Sequence, residues 1–296
     1  MKKIFIPIVI AFVAVVFACC DKIEGPFYEA IINEDVFVNI FPPLDLNTVY
    51  RKVLLEEYTG HSCTNCPDGH QKLEQLHEIY GDTLITIGLH TGAYARPTNS
   101  RPHDFRTAAG DALATEYGIS AWPTAIVNRQ KNSSGGLAIS NWQSAIQNVD
   151  RSTVSAAIQM VNQFNTTDST LKVNVKVTVL EDCDNPVYLA LYLVEDGIVS
   201  PQLYGNETID DYVHNHVMRG DINGTYGETL TNNGFLYKGE THLYAKSISL
   251  KYRSLNPDPA NDSHLVQPNI DNCYVVAILY DKINSEVLQV EKMNIR

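Results

Sequence analysis

Cys63-Thr64-Asn65-Cys66 sets two thiols at the spacing of a redox pair or of half a metal site. The surroundings decide between these. An apolar stretch, residues 51–58, precedes the pair, and an amphipathic helical pattern follows it. A cysteine that opens a helix meets unpaired N–H groups and the positive end of the helix dipole, which favour its thiolate. Cys63 is therefore expected to open the helix as the exposed nucleophile. Cys66, one turn further in, is the resolving thiol that closes the Cys63–Cys66 disulfide and releases product. Pro67 suits a first helical turn, where its missing N–H is not needed. His61 lies close to Cys63 in sequence and, when protonated, favours the thiolate. Zinc is the competing chemistry, because His61, Cys63, Cys66 and His70 are all ligand types. A helix beginning near Cys63 disperses that set, turning Cys66 inward and carrying His70 along the helix. No metal and no other cofactor is expected.

The positioning elements follow from periodicity. Residues 51–58 read as a strand in which Val53, Leu55 and Glu57 share one face. Glu57 has two readings. A buried carboxylate there has a raised pKa and takes the resolving thiol's proton; a solvated one is an ordinary strand residue, like Glu56 beside it. After the turn 59–62, the helix presents Leu73, Leu76 and Ile79 on one side and stops at Gly81-Asp82. A β-branched strand spans 83–89. A second helix spans 105–117 and closes at Gly118. A strand is entered through Pro123, a turn spans 132–136, and a short helix covers 141–149. This order implies a mixed sheet with helices on its faces.

The pattern changes after Arg151. Leu171, Val173, Val175, Val177 and Val179 alternate with polar residues, as in a half-buried strand. Segments 187–194, 242–250, 274–280 and 286–290 read as further strands, the last pairing with 274–280 across 281–284. Helical periods are absent, and a β-sandwich of roughly seven strands is expected. Cys183 and Cys273, each at the start of a strand, are a candidate inter-sheet disulfide. His214 and His216 fall on one face at strand spacing, with no obvious third metal ligand nearby, and read as structural polar groups.

The first residues address the chain. Lys2 and Lys3 precede an uncharged apolar run, 4–17, too short to cross a hydrocarbon core of about 30 Å, so it reads as a signal peptide. The junction Val16-Phe17-Ala18-Cys19-Cys20 resembles a bacterial lipobox, which makes Cys19 the lipidated residue. The formal net charge of -12 argues against nucleic acid and against charge-driven adhesion to anionic lipid. The organisation expected is a signal peptide at 1–18, a lipidated tether at 19–47, an α/β domain at 48–152 and a β-sandwich at 153–296. Contact with the membrane is through the lipid anchor, and the partners expected are proteins of the cell envelope.

Two resemblances add to this reading. Strand-CxxC-helix, followed later by Gly118-Ile119-Ser120-Ala121-Trp122-Pro123-Thr124, is similar to thioredoxin-like proteins. The resemblance implies that Pro123 is cis, packs near the dithiol and helps present a partner chain, with Trp122 and Thr124 beside it. It also implies a buried acid at the position of Glu57. Trp122 stands where smaller residues are common, and reads either as core or as a stacking surface. Thr64-Asn65 differs from the Gly-Pro of thioredoxin itself and leaves the direction of electron flow open. Over nearly the whole mature chain, Glu56 to Pro67, Trp122-Pro123-Thr124, the stretch 212–219 and Asn223-Gly224-Thr225 resemble the outer membrane protein twenty-eight family of Bacteroidetes lipoproteins. That resemblance implies an α/β thioredoxin-like N-terminal domain, an all-β immunoglobulin-like sandwich after it, and an outer-membrane address. Two functions are consistent with it: a tethered thiol-disulfide oxidoreductase, or a surface adhesin whose CxxC is a structural disulfide.

Overall fold

The computed structural model describes residues 40–131, 135–250 and 266–296. The expected signal peptide, Cys19, residues 19–39 of the tether and part of the turn at 132–136 lie outside the described residues. What is described is mostly β-sheet with a few short helices. Among the described residues no helix is long and apolar enough to cross a membrane.

Strand β1 (Val53–Thr59) runs into the dithiol turn, helix α1 (Cys66–Tyr80) and strand β2 (Leu84–His90), which pairs parallel to β1. Helix α2 (Ala108–Glu116) leads to strand β3 (Thr124–Val127), antiparallel to β1, and then to helix α3 (Trp142–Gln147). Every residue of β1 is buried, and its side chains alternate between two cores. Val53 and Leu55 pack with Leu73 and Leu76 of α1 and Trp142 and Ile146 of α3. Leu54 and Tyr58 pack on the other face with Ala109 and Leu113 of α2. Gly81 caps α1 at φ 52, a left-handed value that costs glycine little. The expected third apolar position of α1 differs, since Ile79 is exposed. The helix ends one residue later at Tyr80, which is partly buried against that core.

The second half begins with strands β4 (Ala156–Asn165) and β5 (Thr170–Val179). Strand β6 (Val187–Glu195) follows, and then five short strands: β7 (Ile198–Val199), β8 (Gln202–Tyr204), β9 (Glu207–Ile209), β10 (Val213–His214) and β11 (Val217–Asp221). Strands β12 (Glu228–Thr229), β13 (Thr241–Ser249), β14 (Cys273–Asp281) and β15 (Val287–Asn294) complete the chain. One sheet has the order β15-β14-β6-β11-β2-β1-β3, with β12 on β6; a second has the order β13-β5-β4. The two sheets meet face to face: Leu171, Val173, Val175 and Val177 of β5 pack with Leu189, Leu191 and Leu193 of β6 and Val275 and Leu279 of β14.

The two halves share a sheet, which the sequence reading does not anticipate. Strand β11 lies between β6 and β2 and joins them. The cause is legible in β6, where Val187 to Val194 is apolar at almost every position. Its odd-numbered side chains fill the sandwich, while Ala190, Tyr192 and Val194 pack against the core of the first half. A strand apolar on both faces needs cover on both.

Where the halves meet, Glu56 and Arg129 form a fully buried pair. The Arg129 Nε and Nη2 groups donate to Glu56 Oε1 at 3.2 and 3.1 Å, and Nη2 also donates to the Tyr192 hydroxyl oxygen at 2.8 Å. The guanidinium stands 4.6 Å from the ring centre of Tyr280 on β14. The first half thus supplies the ions and the second half the rings around them.

The structure corrects the expected Cys183–Cys273 disulfide, for both thiols are free. Cys273 pairs with Glu195 at one end of the β6/β14 ladder, while Cys183 precedes Val187 at the other end. Strand β6 alone is nine residues long. At ~3.3 Å per residue the two cysteines are held on the order of 26 Å apart, far beyond disulfide reach. Burial raises the Cys273 thiol to about 12 and the Cys183 thiol to about 11, so both stay protonated.

Replacing Arg129 by Ala strands a buried carboxylate and is expected to cost about 3–5 kcal/mol. Equilibrium denaturant unfolding measures this. A smaller loss in Glu56→Gln/Arg129→Met shows that the unpaired charge, not lost volume, dominates.

Candidate functional site

Strand β1 ends at Thr59, and Gly60-His61-Ser62 turns the chain toward the helix. Gly60 packs against the Tyr94 backbone so closely that an added Cβ would lie 2.6 Å from its carbonyl carbon. The Ser62 N–H donates to the Tyr94 carbonyl oxygen at 2.9 Å. Cys63 and Cys66 are joined in a disulfide. The helix begins at Cys66 rather than at the expected Cys63. Cys63 instead occupies the turn before it, where its N–H donates to the Gly60 carbonyl oxygen at 3.0 Å. Its sulfur therefore lies ahead of the first helical N–H groups. Pro67 occupies the first turn of α1, as expected.

Trp122–Pro123 is cis. Gly69, one turn after Cys66 on the same side of α1, lies between Pro123 and Glu57. A Cβ at Gly69 would stand 2.7 Å from Glu57 Oε1 and 3.3 Å from Pro123 Cβ. Glu57 is 2 % exposed, and its Oε1 has no hydrogen-bond partner among the described residues. Burial raises its pKa from 4.5 to about 8, so the acid is mostly protonated at neutral pH.

The remaining expected site residues are placed as follows. Trp122 is half-buried; its Nε1–H donates to Thr91 Oγ1 at 3.1 Å and its ring lies 5.7 Å from that of Tyr94. Thr124 is buried and donates to the Leu137 carbonyl oxygen at 3.0 Å. His61 differs from expectation. It is buried, its Nε2 lies 2.9 Å from the Arg96 carbonyl oxygen, and burial lowers its pKa. A neutral, inward-facing imidazole does not supply the positive charge expected beside Cys63.

The sequence reading missed a cover over the dithiol. The hairpin of β8 and β9 lies across the Cys63 turn. The Leu203 N–H donates to the His61 carbonyl oxygen at 2.8 Å and the Gly205 N–H to that of Thr64 at 3.1 Å. Gln202 Nε2 donates to the Cys63 carbonyl oxygen at 3.1 Å, and the Tyr204 hydroxyl to Asp68 Oδ1 at 2.9 Å. Cys63 is consequently only 3 % exposed.

It also missed a buried histidine cluster. His214 faces inward, its ring 5.6 Å from His90 and 6.4 Å from His70. Phe105 packs on both His90 and His214. His216 does not share the face of His214, contrary to expectation. A φ of 60 at His216 breaks the strand and turns its ring toward His77, 4.9 Å away. His70 lies 3.7 Å from Glu57 Oε1 through Nε2 and 2.6 Å from the Tyr212 hydroxyl through Nδ1. Burial lowers His70 to about 4 and His214 to about 3. Among the described residues, no three His, Cys, Asp or Glu converge to hold a metal ion. The only local signals were the histidine types themselves and the unexplained stretch 212–219.

The sequence pattern of the family described as outer membrane protein Omp28 matches residues 110–296. The match includes Pro123, Tyr212 and His214 but begins after the cysteine pair. No curated protein matches the sequence. Among solved structures, HBP35 of Porphyromonas gingivalis is 17 % identical, with a TM-score of 0.60 over 83 % of this chain and 76 % of that one. A domain of the outer membrane lipoprotein Omp28 from Porphyromonas gingivalis is 24 % identical over 48 % of this chain and 89 % of that one, with a TM-score of 0.30.

The lowered histidines set an acid dependence. Their ordinary value is 6.5, so as pH falls below it the unfolded chain takes up protons before the folded one does. Stability is expected to fall progressively from about pH 6.5 toward pH 4. Glu57 acts in the opposite sense: its contribution is full below 4.5 and is lost as pH rises through about 8. Thermal melting across pH 4–8 checks the first, and the same series on Glu57→Gln isolates the second.

Proposed function

The chain belongs to the family of outer membrane protein Omp28, which gives it a cell-envelope address at the outer membrane, and from that premise we propose that it is a lipid-anchored thiol-disulfide exchange protein. In this reading residues 1–18 are a signal peptide, Cys19 carries the lipid, 19–47 is a tether, 48–152 is a thioredoxin-like unit and 153–296 an immunoglobulin-like one. The strand-dithiol-helix order of the first unit supports its thioredoxin-like part.

The observation that carries the chemistry is the packing of Glu57 and Pro123 against Gly69, one turn from Cys66. A proton-holding acid beneath a disulfide has an immediate use. When a Cys63 thiolate attacks a partner disulfide, the Cys63–partner bond forms and the partner's second thiolate leaves. Cys66 then gives its proton to ionised Glu57 and attacks Cys63, closing the Cys63–Cys66 bond and releasing the first partner thiolate. In this reading Pro123 and Trp122 help present the partner chain.

The hairpin over Cys63 favours a second reading. A disulfide covered by six residues' worth of hairpin strand suits a structural crosslink in a surface-binding protein. Envelope expression of Cys66→Ala distinguishes them: exchange predicts trapped mixed disulfides through Cys63, and none forms if the crosslink is static. Equilibration with a glutathione buffer gives an independent measure. A reduction potential below about −300 mV identifies a structural disulfide and removes the exchange reading.

A further inference from the structure

The cover over Cys63 is built as a separate part. Strands β8 and β9 form a two-stranded sheet of their own, outside the large one. Gln202 is buried at its base, while Tyr204 and the tip at 205–208 are exposed. Among the described residues, the apolar cores draw nothing from 202–209. What holds the hairpin down is polar. Besides the bonds from Gln202, Leu203, Tyr204 and Gly205, the Thr64 hydroxyl donates to the Gly205 carbonyl oxygen. Arg101 acts as a clasp: its Nε donates to Ser62 Oγ at 3.0 Å and its Nη1 to Thr208 Oγ1 at 2.9 Å. Bonds of this kind trade readily with water and each leaves little net stability. A segment held this way opens locally while the cores stay packed.

The edge that β8 occupies gives the opening a use. One side of β8 pairs with β9. The other side sets the N–H groups of Leu203 and Gly205, alternate residues, on the carbonyl oxygens of His61 and Thr64, which flank Cys63. An extended chain reaching Cys63 along this turn presents alternate N–H groups in the same way. The hairpin therefore stands in the place of a partner strand.

We propose that the β8–β9 hairpin is an autoinhibitory strap on the dithiol, and that an extended segment of a partner protein reaches Cys63 only when the strap swings off. This rests on the exchange reading above. Ser200 anchors the base: its N–H donates to the Tyr212 carbonyl oxygen at 2.9 Å, and its own carbonyl oxygen lies 3.1 Å from His214 Nε2. The hinges thus fall just beyond that anchor, at Pro201 on one side and the exposed Asp210-Asp211 on the other. With the strap off, a partner thiolate attacks Cys63 Sγ. The partner–Cys63 bond forms, the Cys63–Cys66 bond breaks, and its electron pair leaves on Cys66, which takes the proton held by Glu57. A second partner thiolate then attacks the partner's own sulfur in the mixed disulfide and expels Cys63 as a thiolate. The partner's dithiol is oxidised and the Cys63–Cys66 disulfide is reduced.

The test follows reduction of this disulfide in the full chain by dithiothreitol and, separately, by reduced, unfolded ribonuclease A, with acid-quenched and alkylated samples weighed over time. Arg101→Ala removes the clasp. Replacing 203–208 by Gly-Gly removes the strap and joins the paired residues Gln202 and Ile209 through a two-residue turn. Reduction by either reagent is expected to be about 10-fold faster in Arg101→Ala and faster still in the Gly-Gly variant. Loss of a cation near the disulfide would by itself slow an attacking thiolate, so a gain in rate reports access. Amide hydrogen exchange in the oxidised wild-type protein reads the swing directly. Leu203 and Gly205 are expected to exchange at least ~100-fold faster than Val276 in β14. Unchanged reduction rates in Arg101→Ala overturn the strap, as does protection of Leu203 and Gly205 equal to that of Val276. Both readings hold even where the Gly-Gly variant does not fold. Faster reduction by dithiothreitol, with no reaction of ribonuclease A in any variant, supports the strap and fails the exchange reading, which is a separate result.

Discussion

Strand β11 is inserted between β2 and β6, and the arrangement of the site depends on that insertion. The contact with β2 is short: Val217 registers with Gly88, and the Gly88 N–H donates to the His216 carbonyl oxygen at 2.6 Å. Glycine suits the place, since a Cβ there would lie 3.3 Å from that same oxygen. Because β11 also pairs with β6, the sheet of the first half continues into that of the second. The segments that lead into β11 are thereby laid across the top of the β1–α1 junction. Tyr212, His214 and the hairpin of β8 and β9 arrive at the dithiol for this reason.

The seam is reinforced from within. Glu56 and Arg129 are too deep to be solvated, and hydrogen bonds to a buried pair offset part of its desolvation; Glu56 Oε2 has no hydrogen-bond partner among the described residues. Tyr192 from the second half accepts a bond from Arg129, and the Tyr280 ring covers the guanidinium. Separation of the halves would expose β6 along Ala190, Tyr192 and Val194 and leave this pair half-solvated. The two halves are therefore coupled through apolar and ionic contacts alike.

The same burial shapes the chemistry near the dithiol. Glu57 and His70 stand as close as an ion pair, yet burial raises one and lowers the other. At neutral pH the contact is a protonated acid beside a neutral imidazole. Such a contact holds a proton in reserve, whereas a salt bridge would have fixed it on the ring. His90 carries this furthest: it is buried, and neither ring nitrogen has a partner among the described residues.

Much of the first half was legible in the chain itself. The period of β1 put Glu57 on the face of Val53 and Leu55, and the even alternation from Leu171 to Val179 marked a half-buried strand; both rest on a side-chain period that any few residues reveal. The cis bond at Pro123 was implied by the resemblance to thioredoxin-like proteins. The Cys183–Cys273 pairing and the shared face of His214 and His216 failed, because each depended on where a strand ends and what lies at its far end. The partnership of His70 with Tyr212 joins residues 142 positions apart, and the cover over Cys63 joins Gln202 to a turn just as distant. The sequence by itself determined the dithiol, the strands on either side of it and the face of β1 that carries Glu57, whose burial it left open. Only the tertiary structure decided that the second half closes over them, because a sheet seam across such separations is set by which strand faces need cover, and no local pattern encodes that.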